Sequence, residues 1–271
     1  MKQIIAITNQ KGGVGKSTTA LAIGAGYRQA GFKVLFVDLD AQGNLSYTLG
    51  AAAGLYTVLD VLNKQVRADQ AIQQTPNGDL IAYSPALSGA DMALRQTGKE
   101  YRLKEALQPL AGVYDYIILD TPPALGILTV NALTACTWAI IPAQADTYSL
   151  QGIGQLYGTI EAVRTYCNPD LVIRGILLTR HSSRTILSRD MAGLMEQAAK
   201  EIGTTLFKTS IRQNVAIKEA QAKRVDIFTY APASNAAEDY KALLEELSRE
   251  EAQRASSHIR HTNKDLKGGN T

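Results

Sequence analysis

Cysteine is scarce in this chain of 271 residues. Its two copies, Cys136 and Cys167, stand far apart, with no CxxC pair and no Cys/His cluster. A disulfide framework, a cysteine-ligated zinc site and an iron–sulfur cluster are excluded on that ground. Both thiols are expected to be small buried hydrophobes. Long apolar runs are also missing: none approaches the roughly 20 residues that span a bilayer. The opening "MKQIIAITNQ" has one lysine, a short apolar run and no small-residue cleavage site, so it does not read as a signal peptide, and cytoplasm is the default location. Charge of one sign is not in large excess, at a net +3. What is present, 45% apolar and 20% charged residues, reads as globular. The length suits one large α/β domain able to bury a core without staples.

Short apolar runs bounded by turn signals recur along the chain: "QIIAIT" (3–8), "KVLFVDLD" (33–40), "YDYIILDTP" (114–122), "TWAIIPAQ" (137–144) and "LVIRGILLTR" (171–180). Such runs suit strands buried on both faces of a parallel sheet. Helical patterns over 17–30, 100–110, 150–166, 188–202 and 231–250 fall between or after them, the last with Ser234 as its N-cap. The alternation predicts an α/β fold with a doubly wound, mostly parallel sheet and ligands at the carboxyl ends of its strands. Residues 1–247 are expected to form this domain. From 248 the composition turns polar, ending in glycines, and predicts a disordered tail over 248–271.

Residues 10–17 read Q-K-G-G-V-G-K-S, between the first strand and the first helix. Glycines let successive backbone N–H groups turn inward around phosphate oxygens, and the helix that follows aims its positive end at the same anion. Gly12, Gly13, Val14 and Gly15 supply that cradle. Lys16 reaches the β- and γ-phosphates, the Ser17 hydroxyl is placed for Mg²⁺, and Thr18 for the α-phosphate. Downstream, "VLFVDLDAQGN" ends a strand in Asp38 and Asp40, on one side of the chain, and "YDYIILDTPP" ends another in Asp120. Singly each is an ordinary turn or N-cap aspartate; three behind a phosphate loop read as carriers of metal and water. Mg²⁺ keeps most of its waters, so an outer-shell aspartate suffices.

The standard loop begins with glycine, and this one begins with Gln10-Lys11. It resembles the deviant Walker A motif, K-G-G-x-G-K-[ST], of the ParA/MinD family of P-loop ATPases. The likeness continues through "LSGADMALRQTGKEYRLKEAL" (87–107), "PPALGILTVNALTA" (122–135), "PAQADTYSLQGIGQL" (142–156) and "QNVAIKEAQ" (213–221), over residues 1 to about 247. It looks most like the small ParA type that serves a chromosome, plasmid or mobile element; with no winged-helix or helix-turn-helix segment read before the loop, the larger autorepressing plasmid version is not expected. The resemblance implies ATP and Mg²⁺ as ligands and a sandwich homodimer in which Lys11 reaches the partner's phosphates. Asp38 and Asp120 would support Mg²⁺ through water, and Asp40 would place the attacking water. It also implies nonspecific DNA binding and a ParB-type partner that stimulates a slow ATPase, hence a nucleoid-associated protein. Segment 207–221 is expected to rim the adenine.

Residues 174–224 hold ten Lys and Arg against four Asp and Glu. A locally basic stretch suits phosphate-backbone contact without sequence reading. Arg184, in "SSRTILS", matches the arginine of the family's "DARTNLS"-like segment. The second family arginine falls on Ala216, leaving Arg212, Lys218, Lys223 and Arg224 as neighbours that compensate, or as an ordinary solvated face. A MinD-like protein would instead end in a membrane-binding amphipathic helix, for which 248–271 offers only Ile259 and Leu266. A scaffold using ATP only as a dimerising ligand is the remaining alternative; an intact Asp40 favours turnover.

Overall fold

The apolar runs assemble one eight-stranded sheet in the computed structural model, which describes residues 3–182 and 186–265. In chain order the elements are β1 (Gln3–Ile7), α1 (Lys16–Gln29), β2 (Val34–Asp38), α2 (Asn44–Leu49), α3 (Val58–Leu62), β3 (Ile72–Thr75), β4 (Gly78–Ile81), α4 (Ala90–Ala93) and α5 (Arg102–Leu107). They continue with β5 (Tyr116–Asp120), α6 (Ile127–Ala135), β6 (Trp138–Ala143), α7 (Thr147–Tyr166), β7 (Val172–His181), α8 (Ile186–Glu201), β8 (Ile211–Arg212), α9 (Val215–Ala222), α10 (Ile227–Tyr230) and α11 (Asn235–Asp265). The strand order is β3-β4-β2-β5-β1-β6-β7-β8, parallel except where β3 runs against β4.

Strand side chains alternate between two cores, as a strand's period of two requires. Ile4, Ala6, Leu35, Val37, Ile117 and Leu119 face one layer of helices. There α7 presents Ile153, Leu156, Ile160 and Val163 at helical spacing. Ile5, Ile7, Val34, Phe36, Tyr116 and Ile118 face α1 and α11 on the other side, where Tyr240, Leu243 and Leu247 are buried. The sheet is therefore doubly wound, and all five expected strands lie where the apolar runs place them.

Among the described residues, three strands and six helices escape the apolar pattern, for reasons visible in their residues. The β3–β4 hairpin is short and polar around "TPNG", and β8 has two residues. Helix α6, "ILTVNALTA", is buried nearly all round, so it has no polar face to mark a helical period. Helices α2, α3, α4, α9 and α10 are too short to show one.

Two expectations need correction. Helix α11 does not give way at residue 248 but continues to Asp265. The extension opens with Arg249, Glu250, Glu251, Ala252, Gln253, Arg254 and Ala255, all good helix formers, and meets no Gly or Pro until Gly268. An Arg249–Glu245 pair one turn apart supports it, and Tyr116 Oη donates to Glu251 Oε2 at 3.2 Å, fastening it to β5. Ser234 caps α11 as expected, accepting from Ala237 N–H at 3.2 Å. Cys136 is buried, but Cys167, at the end of α7, is only half-buried.

Candidate nucleotide-binding site

The loop from residue 8 to 15 joins β1 to α1 at the carboxyl edge of the sheet's centre. Gly13 (φ 73°) and Gly15 (φ 90°) hold left-handed backbone, strained for any other residue. These turns bring N–H groups into a concavity capped by the α1 N-terminus, the arrangement that holds an anion. The loop is anchored from below. Val14 is fully buried, and its carbonyl accepts from Thr179 Oγ1 on β7 at 2.8 Å.

The two lysines have different surroundings. Lys16 is buried, and its Nζ folds back onto the Lys11 carbonyl at 3.1 Å. Burial lowers its pKa, while the charges of Asp120 and Asp40 pull it back up. Lys11 lies at the rim instead. Its Nζ contacts Asp146 Oδ2 at 2.6 Å and Ser149 Oγ at 3.4 Å. Asp146 is also the N-cap of α7, accepting from Ser149 N–H at 2.9 Å. Burial pushes Asp146 up, but the Lys11 ammonium and the two Ser149 donors outweigh it and hold the carboxyl below its ordinary range. Within one subunit, therefore, Lys11 is engaged by a carboxylate and stays out of the phosphate cradle.

Parallel register sets Asp38 beside Asp120 on β2 and β5, and Ile7 on Asp120's other flank. Asp38 is fully buried and accepts from Asp40 N–H (3.1 Å), Ser46 N–H (2.8 Å) and Ser46 Oγ (2.7 Å). Burial pushes it to about 6 against those hydrogen bonds. Ser46 Oγ in turn accepts from Tyr83 N–H at 3.0 Å, which links Asp38 to the end of β4. Asp40, nearly buried, accepts from Gln42 N–H at 3.0 Å. Asp120 is fully buried, and neither of its oxygens meets a donor in hydrogen-bonding geometry. Burial, then the neighbouring Asp38 charge, push it well above the carboxylate range, with the nearby Ser17 hydroxyl and Lys16 acting the other way.

An orphaned, buried carboxylate beside a serine hydroxyl at the mouth of a phosphate loop fits a hydrated divalent cation. Among the described residues no trio of His, Cys, Asp or Glu forms a metal cage.

A cleft of about 460 Å³ is lined by Gly12, Gly13, Lys16, Ser17, Asp40 and Pro123. A second hollow of about 300 Å³ adjoins it, bordered by Ile211, Gln213, Asn214 and Lys218. The two share Gly15, Thr18, Arg180 and Gln221. The second is bordered by residues of segment 207–221, named above as a rim. Thr18 Oγ1 accepts from Gln221 Nε2 at 3.0 Å and bridges the two walls. Arg180 is exposed, with φ 49°, a costly conformation for a residue with a side chain. Neither residue stands out in the sequence; Asp146 and Ser46 are missed likewise. Their spacing from the loop carries no signal, because tertiary folding alone brings them in.

The basic residues differ in their surroundings. Arg184 lies outside the described residues. Arg212 is bound by Asp239 through Nη2 (2.7 Å) and Nε (3.0 Å), and Glu238 lies 3.3 Å away. Lys218 borders the second hollow. Arg224 stacks over Tyr47 at 4.3 Å, beside the phosphate cleft. Lys223 is exposed, and Ala216 is buried against the body. Arg212 and Arg224 thus have partners within the chain, and Lys218 borders the second hollow.

Fold and cleft together define a P-loop protein that handles a nucleoside phosphate and carries a second lysine in its loop. Residues 2–173 match the AAA domain family. Sporulation initiation inhibitor protein Soj of Bacillus subtilis (strain 168) is 42% identical over 253 residues, covering 92% of this chain and 99% of Soj. Chromosome partitioning protein ParA of Myxococcus xanthus (strain DK1622) is 38% identical, covering 90% and 87% of the two chains. Among solved structures, cobyrinic acid a,c-diamide synthase of Mycobacterium smegmatis, with a bound ATP analogue and magnesium, is 36% identical. Its TM-score is 0.79, covering 92% of this chain and 95% of that one. The chain belongs to the Soj/ParA family of chromosome-partitioning P-loop ATPases. Among the described residues no helix is long and apolar enough to cross a membrane.

Proposed function

We propose that this chain is an ATP-hydrolysing partition switch. With Mg·ATP bound it pairs with a second copy, and the pair coats DNA without reading sequence. A ParB-type partner then releases it by stimulating an otherwise slow hydrolysis. The observation that carries the reading is the placement of Lys11. Lys16 belongs to the cradle, whereas Lys11 stands at the rim on a partly exposed carboxylate, Asp146. It needs only to exchange that carboxylate for a phosphate presented by a facing subunit.

Each residue has a part. Lys16 and the N–H groups of 12–17 hold the triphosphate. Magnesium, when bound, would be held by the Ser17 hydroxyl, with Asp38 and Asp120 supporting it through water, and would neutralise charge on the phosphates. Asp40 orients the attacking water and takes up its proton. Lys11 from the opposite subunit meets the charge that develops on the transferred phosphoryl group. Loss of the γ-phosphate removes what both Lys11 residues grip, and the pair loosens.

Gel filtration tests the pairing. In an Asp40→Ala background, ATP with Mg²⁺ is expected to shift the chain to the mass of a dimer, and ADP to leave it monomeric. Lys11→Ala in the same background stays monomeric with ATP. A chain that remains monomeric at saturating ATP with Lys11 intact overturns the proposal.

DNA contact is proposed for Arg184 and Lys223, with Lys218, Arg212 and Arg224 secondary because of the neighbours described above. Arg184→Glu is expected to weaken retention on nonspecific duplex several-fold at moderate salt and to reduce the salt slope by about one. ATP hydrolysis measured without DNA is unchanged. Equal retention by wild type and variant takes Arg184 off the DNA face.

A further inference from the structure

Helix α6 begins immediately after the loop that follows Asp120, and its boundary residue, Gly126, has no side chain to cap it. The cap arrives from elsewhere in the chain. Asp91, on α4, accepts from Ile127 N–H through Oδ1 at 2.7 Å. Its other oxygen closes against Gly126, where an added Cβ would lie 2.6 Å from Oδ2. A helix start exposes N–H groups and a partial positive charge, so a carboxylate there satisfies both.

Loop 121–126 has two further struts. At its start Thr121 Oγ1 donates to the Ile7 carbonyl at 3.0 Å. Near its end Thr129 Oγ1 donates to the Ala124 carbonyl at 2.6 Å. Between them Pro123 forms part of the phosphate cleft. Thr121 and Thr129 act from the loop and the helix it enters, whereas Asp91 reaches in from a separate surface segment, 84–98.

We propose that Asp91 is a positioning residue for hydrolysis: by capping α6 across the chain it fixes the loop running from Asp120 past Pro123, and so ties segment 84–98 to the shape of the phosphate cleft. This rests on the ATPase reading above. Asp91 touches none of the reacting groups, and its effect passes through the Ile127 amide. The side chain lies at the surface, so truncating it opens no cavity in the core.

Steady-state hydrolysis and amide hydrogen exchange on the full chain test it. Asp91→Ala is expected to lower kcat about five-fold with KM for ATP changed less than about two-fold, the scale of a lost helix cap. Asp91→Asn keeps an acceptor oxygen and restores most of the rate. Gly126 has φ −92° and ψ −166°, backbone open to alanine, so Gly126→Ala acts only by pushing the carboxylate aside. It should reproduce the loss alone and add nothing to Asp91→Ala. Without nucleotide, exchange over 121–130 accelerates in Asp91→Ala and Gly126→Ala but not in Asp91→Asn.

Wild-type kcat in folded Asp91→Ala, or additive losses in the double variant, overturns the proposal. If Asp91→Ala does not fold, wild-type rate and exchange in Gly126→Ala overturn it equally. A wild-type chain that fails to hydrolyse ATP refutes the ATPase reading instead; the exchange comparison then decides the cap, and unchanged exchange refutes that too.

Discussion

Lys16→Ala should weaken binding of both ATP and ADP by about 30-fold or more and reduce hydrolysis to background. The reason lies in the charge around the cleft. Asp38, Asp40 and Asp120 converge there, two of them fully buried, and Lys16 is the cation folded among them. Burial penalises its ammonium, and Asp120 and Asp40 compensate. Its present acceptor, the Lys11 carbonyl at 3.1 Å, is a placeholder that phosphate oxygens replace with stronger, charge-assisted bonds. Truncating one member of such a desolvated contact costs about 2–5 kcal/mol, on the order of 30- to 4,000-fold in affinity. Isothermal titration with ATP, ADP and Mg²⁺ measures it, with a thermal melt confirming that the variant folds. Affinity within about three-fold of wild type is incompatible with Lys16 as the phosphate ligand.

The sequence made the loop legible because its chemistry is local. Lys11 to Thr18 are contiguous, and each glycine or lysine has a reason within eight residues. The five central strands were legible because burial on both faces leaves continuous apolar runs. Asp38 and Asp120 followed, since a carboxylate ending an apolar run marks the sheet's carboxyl edge. What could not be read is whatever depends on folding to bring residues together. Asp146 engages Lys11 from 135 positions away, and Gln221 meets Thr18 from 203 away. The burial that drives Asp120 upward depends on strand register, not composition. Charge counting overreached for the same reason: Arg212 and Arg224 add to a basic total, but Asp239 and the Tyr47 ring already engage them. The tail misled in the other direction. Polarity alone does not mean disorder: a polar segment without Gly or Pro can continue an existing helix cheaply, the nucleation cost being already met.

Asp40→Ala should leave ATP binding intact and slow hydrolysis by about 10²- to 10⁴-fold, the range for losing a positioned general base. The geometry separates the two effects. Asp40 lines the phosphate cleft and spends one oxygen on Gln42 N–H at 3.0 Å, which leaves the other oxygen for water. It is also a like charge that raises both Asp38 and Asp120. Removing it eases the approach of an anionic nucleotide, so affinity should hold or tighten. Asp40→Asn keeps the shape and the Gln42 contact without the basicity, and should be nearly as slow as Asp40→Ala. Single-turnover hydrolysis at saturating ATP, alongside a binding titration, reads both quantities. Slow turnover with ATP-dependent pairing preserved makes Asp40 the timer of the cycle and pairing its consequence. Wild-type turnover in both variants would mean that another group handles the water, and the chemical half of the proposed switch would have to be rebuilt around it.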